Sequence, residues 1–498
     1  MIKIHTKRAL LLICPLLFLY TNFVFSQSYD KRLIIAYHKV LDLNFRSEIP
    51  TLSLDNYQST NDKAFQAYIL NLKNTLDLLL VHDPDKYKSY AKEEKKYSHI
   101  LNGLNEDDPY VNYLKIEFKV HRGLLKIKYG DRISGAFTLI QAYRNIRTFE
   151  KEYAGQIYTL KLSGILNIIL SLFPDQYNWI LNMFQVVPDF TKGINYLKEL
   201  SESNSVFNRE GILIYALSQS FYSDNSNEAI ETLKSNSLLF DKSLLYSYLL
   251  GLSSNKNRNN QESIKYFDSC LNFGRSYLQI PAINYYRAES YIKDLSFNKA
   301  VYLYDLYLTK PDGGLFVKDA NYKLFNLAFL FGIPDSEYEN YQARVLSEGS
   351  LQTGADKYAY NRITNNYIPD STLFKSRLLF DGGYFERSIQ TLSACKISNY
   401  TKTEEKCEFY YRYARNYQLL KVFENSIDYY NKVIEIKGSE EFYFWGNAQL
   451  NLGHIYSGLE NYSKAKEYYK RALDYKGESY RNSIRTEAKA GLKKISNY

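Results

Sequence analysis

Leu452-Gly453-x-x-Tyr456, followed by Tyr462-x-x-Ala465-x-x-x-Tyr469-x-x-Ala472-Leu473, decides the fold. The small and large residues recur at helical spacing on both sides of a short polar turn, which makes two antiparallel helices. Gly453, Ala465 and Ala472 let the helices approach closely, and the tyrosines fill the space between them. One such pair cannot bury its own apolar face, so the pattern predicts further pairs stacked along the chain.

The same register recurs upstream. Residues 407–440 carry Ala414, Tyr417, Phe423, Ser426, Tyr430 and Val433 at the equivalent places, and residues 369–402 carry Gly383, Phe385, Ser388, Leu392 and Cys395. Residues 281–314 carry Ala288, Tyr291, Phe297, Ala300, Tyr304 and Tyr307; residues 244–277 carry Gly251, Ser263, Phe267, Cys270 and Leu271. The pattern thins to Ala229 and Leu233 in 210–243, and to Gly123, Gly130, Gly135, Leu139 and Ala142 in 116–149.

Two stretches break the rhythm. In Ile157–Glu202, Gly164 and Gly193 sit at first- and second-helix positions, with Phe173–Pro188 inserted between them and bounded by prolines. The apolar run Leu162–Phe173 is too short for a bilayer, which needs about 20 residues, and reads as a buried helix; membrane contact is the alternative. In Lys310–Pro369, the turn Pro311-Asp312-Gly313-Gly314 precedes a divergent helix pair, Val317–Phe331 and Ser336–Leu346, a polar loop Ser347–Ala355 and a short helix Tyr358–Asn366. Upstream, Phe65–Val81 and Asp85–Leu101 are periodic enough for helices, and their charge suggests a cap with a polar outer face. Ser483–Ile495 is a basic amphipathic helix placed to cover the last repeat.

The bulk composition agrees. A chain of 498 residues is long for one compact core but ordinary for a solenoid. Only 10 prolines suit long helices, and 50 tyrosines suit inter-helix packing. Residues 1–26 read as an export signal: Lys3, Lys7 and Arg8 precede the uncharged Ala9–Phe25, and Val24-Phe25-Ser26 before Gln27 is a small-residue cleavage motif. An uncleaved membrane anchor is the alternative. A lipid anchor at Cys14 is disfavoured because Ile13 stands where a small residue is needed. Cleavage removes three basic and no acidic residues and lowers the net charge from +9 to +6. That mild excess is scattered, with no basic block interleaved with aromatics, so nucleic acid is not the expected partner. Cys270, Cys395 and Cys407 remain; Cys395 and Cys407 are near enough in register to pair, but small packing residues are the preferred reading.

The repeats resemble the tetratricopeptide family over about three quarters of the chain. A narrower likeness, Leu162-Ser163-Gly164 through Leu172-Phe173-Pro174, Trp179-Ile180-Leu181 and Gly193-Ile194-Asn195-Tyr196-Leu197, resembles the tetratricopeptide repeat protein 39 and inclusion-body clearance family. The resemblance implies an all-α, right-handed superhelical solenoid with an inserted helical hairpin and terminal capping helices. It also implies a ligand groove along the first helices of successive repeats. Groove positions in this register are Tyr248 and Leu252, Tyr285 and Glu289, Leu373 and Arg377, Tyr411 and Arg415, and Leu450 and His454. The family's carboxylate clamp needs Lys and Asn at such positions, and they are missing.

No pattern of catalytic chemistry is present. The histidines His5, His38, His82, His99, His121 and His454 form no H-E-x-x-H motif; there is no Gly-x-x-x-x-Gly-Lys loop and no Gly-x-Ser-x-Gly elbow. Asp107-Asp108 before Pro109 is a helix start. The sequence therefore leads to an exported, non-catalytic scaffold of the periplasm or outer envelope that needs no cofactor or metal and binds a protein partner. Its segments are a signal peptide (1–26), a helical cap (27–115), divergent repeats with an insertion at 173–188 (116–209), central repeats (210–368), and C-terminal repeats with a capping helix (369–498). Alternatives are a glycan-binding repeat protein of an uptake system, since aromatic platforms also hold sugars, and a peripheral membrane protein that uses the Gly164–Val187 insertion.

Overall fold

The computed structural model describes residues 29–46, 49, 52, 57–223, 225–309, 315–333 and 338–496. The expected signal segment (1–26) and the turn at 311–314 lie outside them. Among the described residues there are twenty-four α-helices and no strand. After α1 (Lys31–Leu41) the helices run in antiparallel pairs: α2 (Thr60–Leu80) with α3 (Pro84–Asn102), and α4 (Pro109–Lys128) with α5 (Arg132–Glu152). Next, α6 (Thr159–Ser171) pairs with α8 (Phe190–Ser201) across the inserted α7 (Asn178–Met183). Then come α9 (Asn208–Phe221) with α10 (Ser226–Ser235), α11 (Leu244–Lys256) with α12 (Asn260–Ser269), and α13 (Ala282–Lys293) with α14 (Phe297–Leu308). A three-helix unit follows, α15 (Val317–Phe331), α16 (Tyr338–Ser347) and α17 (Gly354–Thr364). The chain ends with α18 (Ser371–Asp381) and α19 (Phe385–Ser393), α20 (Thr403–Leu419) and α21 (Phe423–Glu435), α22 (Tyr443–Gly458) and α23 (Tyr462–Leu473), and α24 (Arg481–Lys494). Each pair packs on the next, which is a helical solenoid.

Local chemistry sets the helix starts. Asp108 accepts hydrogen bonds from the Tyr110 and Val111 amides while Pro109 occupies the first turn, and Asp83 caps α3 in the same way before Pro84. The pairs then close on small residues. A Cβ at Gly453 would stand 2.5 Å from Tyr469, and Gly491 of α24 receives the same ring on its other side. Gly164 and Gly193 face each other, so that the α6 and α8 backbones cross with Leu197 lying over Gly164. Three cysteines, Cys270, Cys395 and Cys407, are free. No helix among the described residues is long and apolar enough to cross a membrane, and α6 buries Leu162, Leu166, Ile168 and Leu170 as a core helix.

The segment expected to form a polar cap behaves differently in its three helices. α3 does present a mostly polar outer face, whereas α2 is core, with Phe65, Tyr68 and Ile69 fully buried. α1 is an addition that repeat counting does not predict. It inserts against the first helices with Leu33, Ala36, Tyr37 and Val40 fully buried. Behind it the chain pairs backbone with distant loops: Leu244 N donates to Asp42 O (3.2 Å), Leu278 N to Leu43 O (2.8 Å) and Arg46 N to Ser276 O (2.8 Å).

The stack also touches itself. The α18–α19 turn docks on the α11–α12 turn: Asn260 N donates to Gly382 O, Arg258 lies over the Phe380 ring, and Gly383 (φ +82°) meets the Arg258 carbonyl so closely that a Cβ has no place there. Arg387 adds an ion pair to Asp294 at 2.9 Å.

Candidate functional site

The residues expected along the groove divide by environment. Tyr248, Tyr285, Leu373, Tyr411 and Leu450 are buried in the packing between helices. Their side chains fill the joints that a first-helix face makes with the next repeat, so Tyr285, Leu373, Tyr411 and Leu450 are not offered to a ligand as they stand. Leu252 is half-buried and, with Tyr248, lines the chamber described below. Glu289 is tied into an ionic cluster: Lys323 Nζ sits 2.5 Å from both Glu289 Oε1 and Asp319 Oδ2, while the Tyr285 and Tyr304 hydroxyls donate to Asp319 and Glu289. The two carboxylates hold the Lys323 ammonium well above its usual pKa against the effect of burial.

Arg377, Arg415 and His454 keep part of their surface. Arg377 donates to the Tyr358 hydroxyl at 3.3 Å, and with Arg362 it lowers the pKa of that phenol although burial opposes the shift. Arg415 lies over Phe380 and donates to Gln418 Oε1 (2.7 Å) and Asn451 Oδ1 (2.8 Å). His454 is 40 % exposed, 2.9 Å from the Tyr469 hydroxyl. Between them Arg412 pairs with Glu408 at 2.7 Å. The first helices α18, α20 and α22 thus carry Arg377, Arg415 and His454 at equivalent positions on an aromatic bed, two guanidiniums and an imidazole whose pKa burial pushes below its usual value.

The N-terminal half holds a second arrangement, built on the first helices α2, α4, α6, α9 and α11. Their apolar faces line a partly open chamber of about 530 Å³. Its walls include Leu72, Leu76, Ile165, Leu213, Leu217 and Leu249, and Leu41 of α1 joins them. Glu117, His121 and Glu210 are the carboxylates and the imidazole of its lining. Behind these, Lys161 is fully buried, 2.6 Å from Glu117 Oε1 and 3.3 Å from Glu210 Oε2. It donates to the Tyr68 hydroxyl at 2.9 Å and stands 3.8 Å from the Phe207 ring centroid. Tyr37 and Tyr68 both donate to Glu210.

Glu117 is the unsatisfied member. Its Oε2 has no hydrogen-bond partner; the Tyr113 hydroxyl lies near it outside bonding geometry. Burial raises the Glu117 pKa to about 7 even with Lys161 beside it. His121 is held neutral, its pKa pushed down to about 3 by burial and by Lys161. Asn71 donates its amide hydrogen to Tyr90, so its Oδ1 accepts from His121 Nδ1 at 2.6 Å. His121 Nε2 is therefore a bare acceptor, 3.8 Å from Glu117 Oε1. Sequence reasoning missed this cluster. Its signal was Lys161 itself, a charge inside the apolar run of α6, where a buried ammonium requires a carboxylate.

The insertion divides its apolar residues. Trp179 and Met183 are each 54 % exposed, but Ile180 and Leu181 are buried and Phe184 packs edge-on against Phe137. Expected as a hairpin, it is a 3-10 turn (Asp175–Tyr177) running into the six-residue α7. No cluster of ligands suited to a metal occurs among the described residues.

Residues 408–440 and 446–479 each match the family model described as tetratricopeptide repeat, and they coincide with the α20–α21 and α22–α23 pairs. No curated protein matches the chain. Among solved structures the chain is similar to a human IFIT1 dimer with m7Gppp-AAAA, at 15% identity and TM-score 0.32, over 91% of this chain and 97% of that one. It is similar to a monomeric IFIT1 mutant with Gppp-AAAA at 15% identity and TM-score 0.31, over 91% and 96%.

Proposed function

We propose that the chain is a non-catalytic, tetratricopeptide-type scaffold, exported to the periplasm or outer envelope, which holds a protein partner along the first helices α18, α20 and α22. Tetratricopeptide repeats suggest a protein-interaction scaffold, and the two matched repeats make up most of this region. The observation that carries the reading is the row Arg377, Arg415 and His454, equivalent positions in successive repeats that keep exposed surface while the tyrosines around them are packed. Two guanidiniums over buried aromatics fit a partner segment rich in Asp or Glu, with specificity from charge placement. Export rests on the sequence of residues 1–26.

The test is affinity capture from the native envelope with the chain beginning at Gln27, compared with an Arg377→Ala/Arg415→Ala double variant and read by mass spectrometry. A protein recovered with the parent chain, lost with the variant and weakened by salt supports the reading. Equal capture by the variant removes this groove from the function, and enrichment of glycan instead of protein favours the uptake-system alternative.

A further inference from the structure

The chamber between α2, α4, α6, α9 and α11 is not used by a scaffold that grips its partner at the C-terminal repeats. Its volume of about 530 Å³ lies in the range of small-molecule sites, about 300–1,000 Å³. At about 30 Å³ for each water-sized group, the space takes a chain of roughly 12 to 18 heavy atoms. Leucine and isoleucine make up most of the wall, so the body of a matching ligand is aliphatic. The polar end is defined by acceptors: Glu117 Oε2, without a partner on a side chain 2 % exposed, and His121 Nε2, whose ring hydrogen is committed to Asn71.

We infer that the chamber binds a single-chain amphiphile whose head group donates hydrogen bonds, a long-chain amine or alcohol, with its head at Glu117 and His121 and its chain along Leu72, Leu213 and Leu249. With Glu117 ionised, the two carboxylates Glu117 and Glu210 share one cation, Lys161, which leaves a negative balance that a carboxylate head would worsen and an ammonium would neutralise. A donor placed between Glu117 Oε2 and His121 Nε2 satisfies both acceptors at once. At Leu79, Leu80 and Tyr248 the chamber shares its wall with a smaller cleft of about 190 Å³.

The experiment uses the full chain with the fluorescent probe N-phenyl-1-naphthylamine, displaced in turn by dodecylamine, dodecanol and dodecanoate. The expected result is displacement by the amine and, less tightly, by the alcohol, with dodecanoate at least tenfold weaker than the amine. Glu117→Gln should abolish the advantage of amine over alcohol, and Leu217→Trp, which fills the chamber from a half-buried wall position, should abolish displacement by all three. Dodecanoate binding as tightly as the amine, no displacement by any chain, or unchanged binding by Leu217→Trp would each overturn the inference. Should Glu117→Gln fail to fold, judged by circular dichroism, the head-group series on the parent chain and the Leu217→Trp result decide. Binding here is independent of Arg377 and Arg415, so failure leaves the scaffold reading intact.

Discussion

Tyr37 Oη donates to Glu210 Oε1 at 2.5 Å across 173 residues of sequence, joining α1 to α9 in the interior of the solenoid. Glu210 retains Tyr68 and Lys161 if that bond is lost, so the cluster should survive a small deletion. Tyr37→Phe should cost about 1.5–3 kcal/mol, the range for a hydrogen bond to a charged group. Tyr37→Ala adds a cavity at a fully buried site and should cost about 3–5 kcal/mol. Urea unfolding of the two variants measures both values.

Lys161→Met retains the length of the side chain but leaves Glu117 and Glu210 without their cation. Removing one partner of a buried ion pair costs about 3–5 kcal/mol. Adding Glu210→Gln to Lys161→Met should recover part of the loss, because one of the stranded charges is then gone. A double-mutant cycle on thermal unfolding checks the sign: a double variant no more stable than Lys161→Met would refute this account of the cluster.

Two neighbouring groups should oppose each other in the pH dependence of stability. Glu117 titrates near 7 in the fold against 4.5 in the unfolded chain, so its stabilising contribution is complete below pH 4.5 and is lost as pH rises through 7. His121 titrates near 3 in the fold against 6.5 unfolded, so its contribution is complete above pH 6.5 and is lost as pH falls through 3. Between pH 4.5 and 6.5 the two slopes cancel. Glu117→Gln should therefore lose stability on acidification over that interval more steeply than the parent, by up to about 1.4 kcal/mol per pH unit. His121→Phe should shift the slope the other way by a similar amount. His38, pushed down to about 4 by burial and Arg209, acts in the same direction as His121 and is common to parent and variants. Urea midpoints measured from pH 4.5 to 8 test the prediction.

Glycines of α22 should respond in opposite directions. Gly453→Ala places a methyl group against Tyr469, whose ring is backed by Gly491 and has no room to retreat. Overpacking of about 1–3 kcal/mol should exceed the gain of about 1 kcal/mol in helix propensity. Gly458 has open space at its Cβ position, so Gly458→Ala should stabilise by about 0.4–1 kcal/mol. Thermal unfolding of the two variants separates these effects.

The helix pairs were legible because close crossings leave a local mark: Gly453, Ala465 and Tyr469 must recur at fixed spacing wherever two helices touch. Gly123 and Gly135 carried the same mark faintly, and α4 and α5 cross there. What escaped is long-range. α1 shows an apolar stripe at Leu33, Ala36, Tyr37, Val40 and Leu41, enough to read a helix, but no spacing says that it enters between first helices 170 residues away. The groove register took Tyr285 and Tyr411 for presented residues, and the structure buries both. A tyrosine at that position turns into the joint with the next repeat, where Tyr285 stacks on Phe316 and donates to Asp319, and Tyr411 packs against Phe444. Lys161 marked the interior cluster in sequence, while its partners came from three other helices.

The dock of Gly382 and Gly383 onto Arg258 and Asn260 changes what kind of object the solenoid is. A linear array can be unzipped from either end, each unit yielding on its own. Here the chain from α11 to α19 is closed into a loop by a clasp between turns more than 120 residues apart. Pulled from the C-terminus, α24 back to α20 can peel away like links of a chain, but the tension then meets a buckle, and everything inside it must open together.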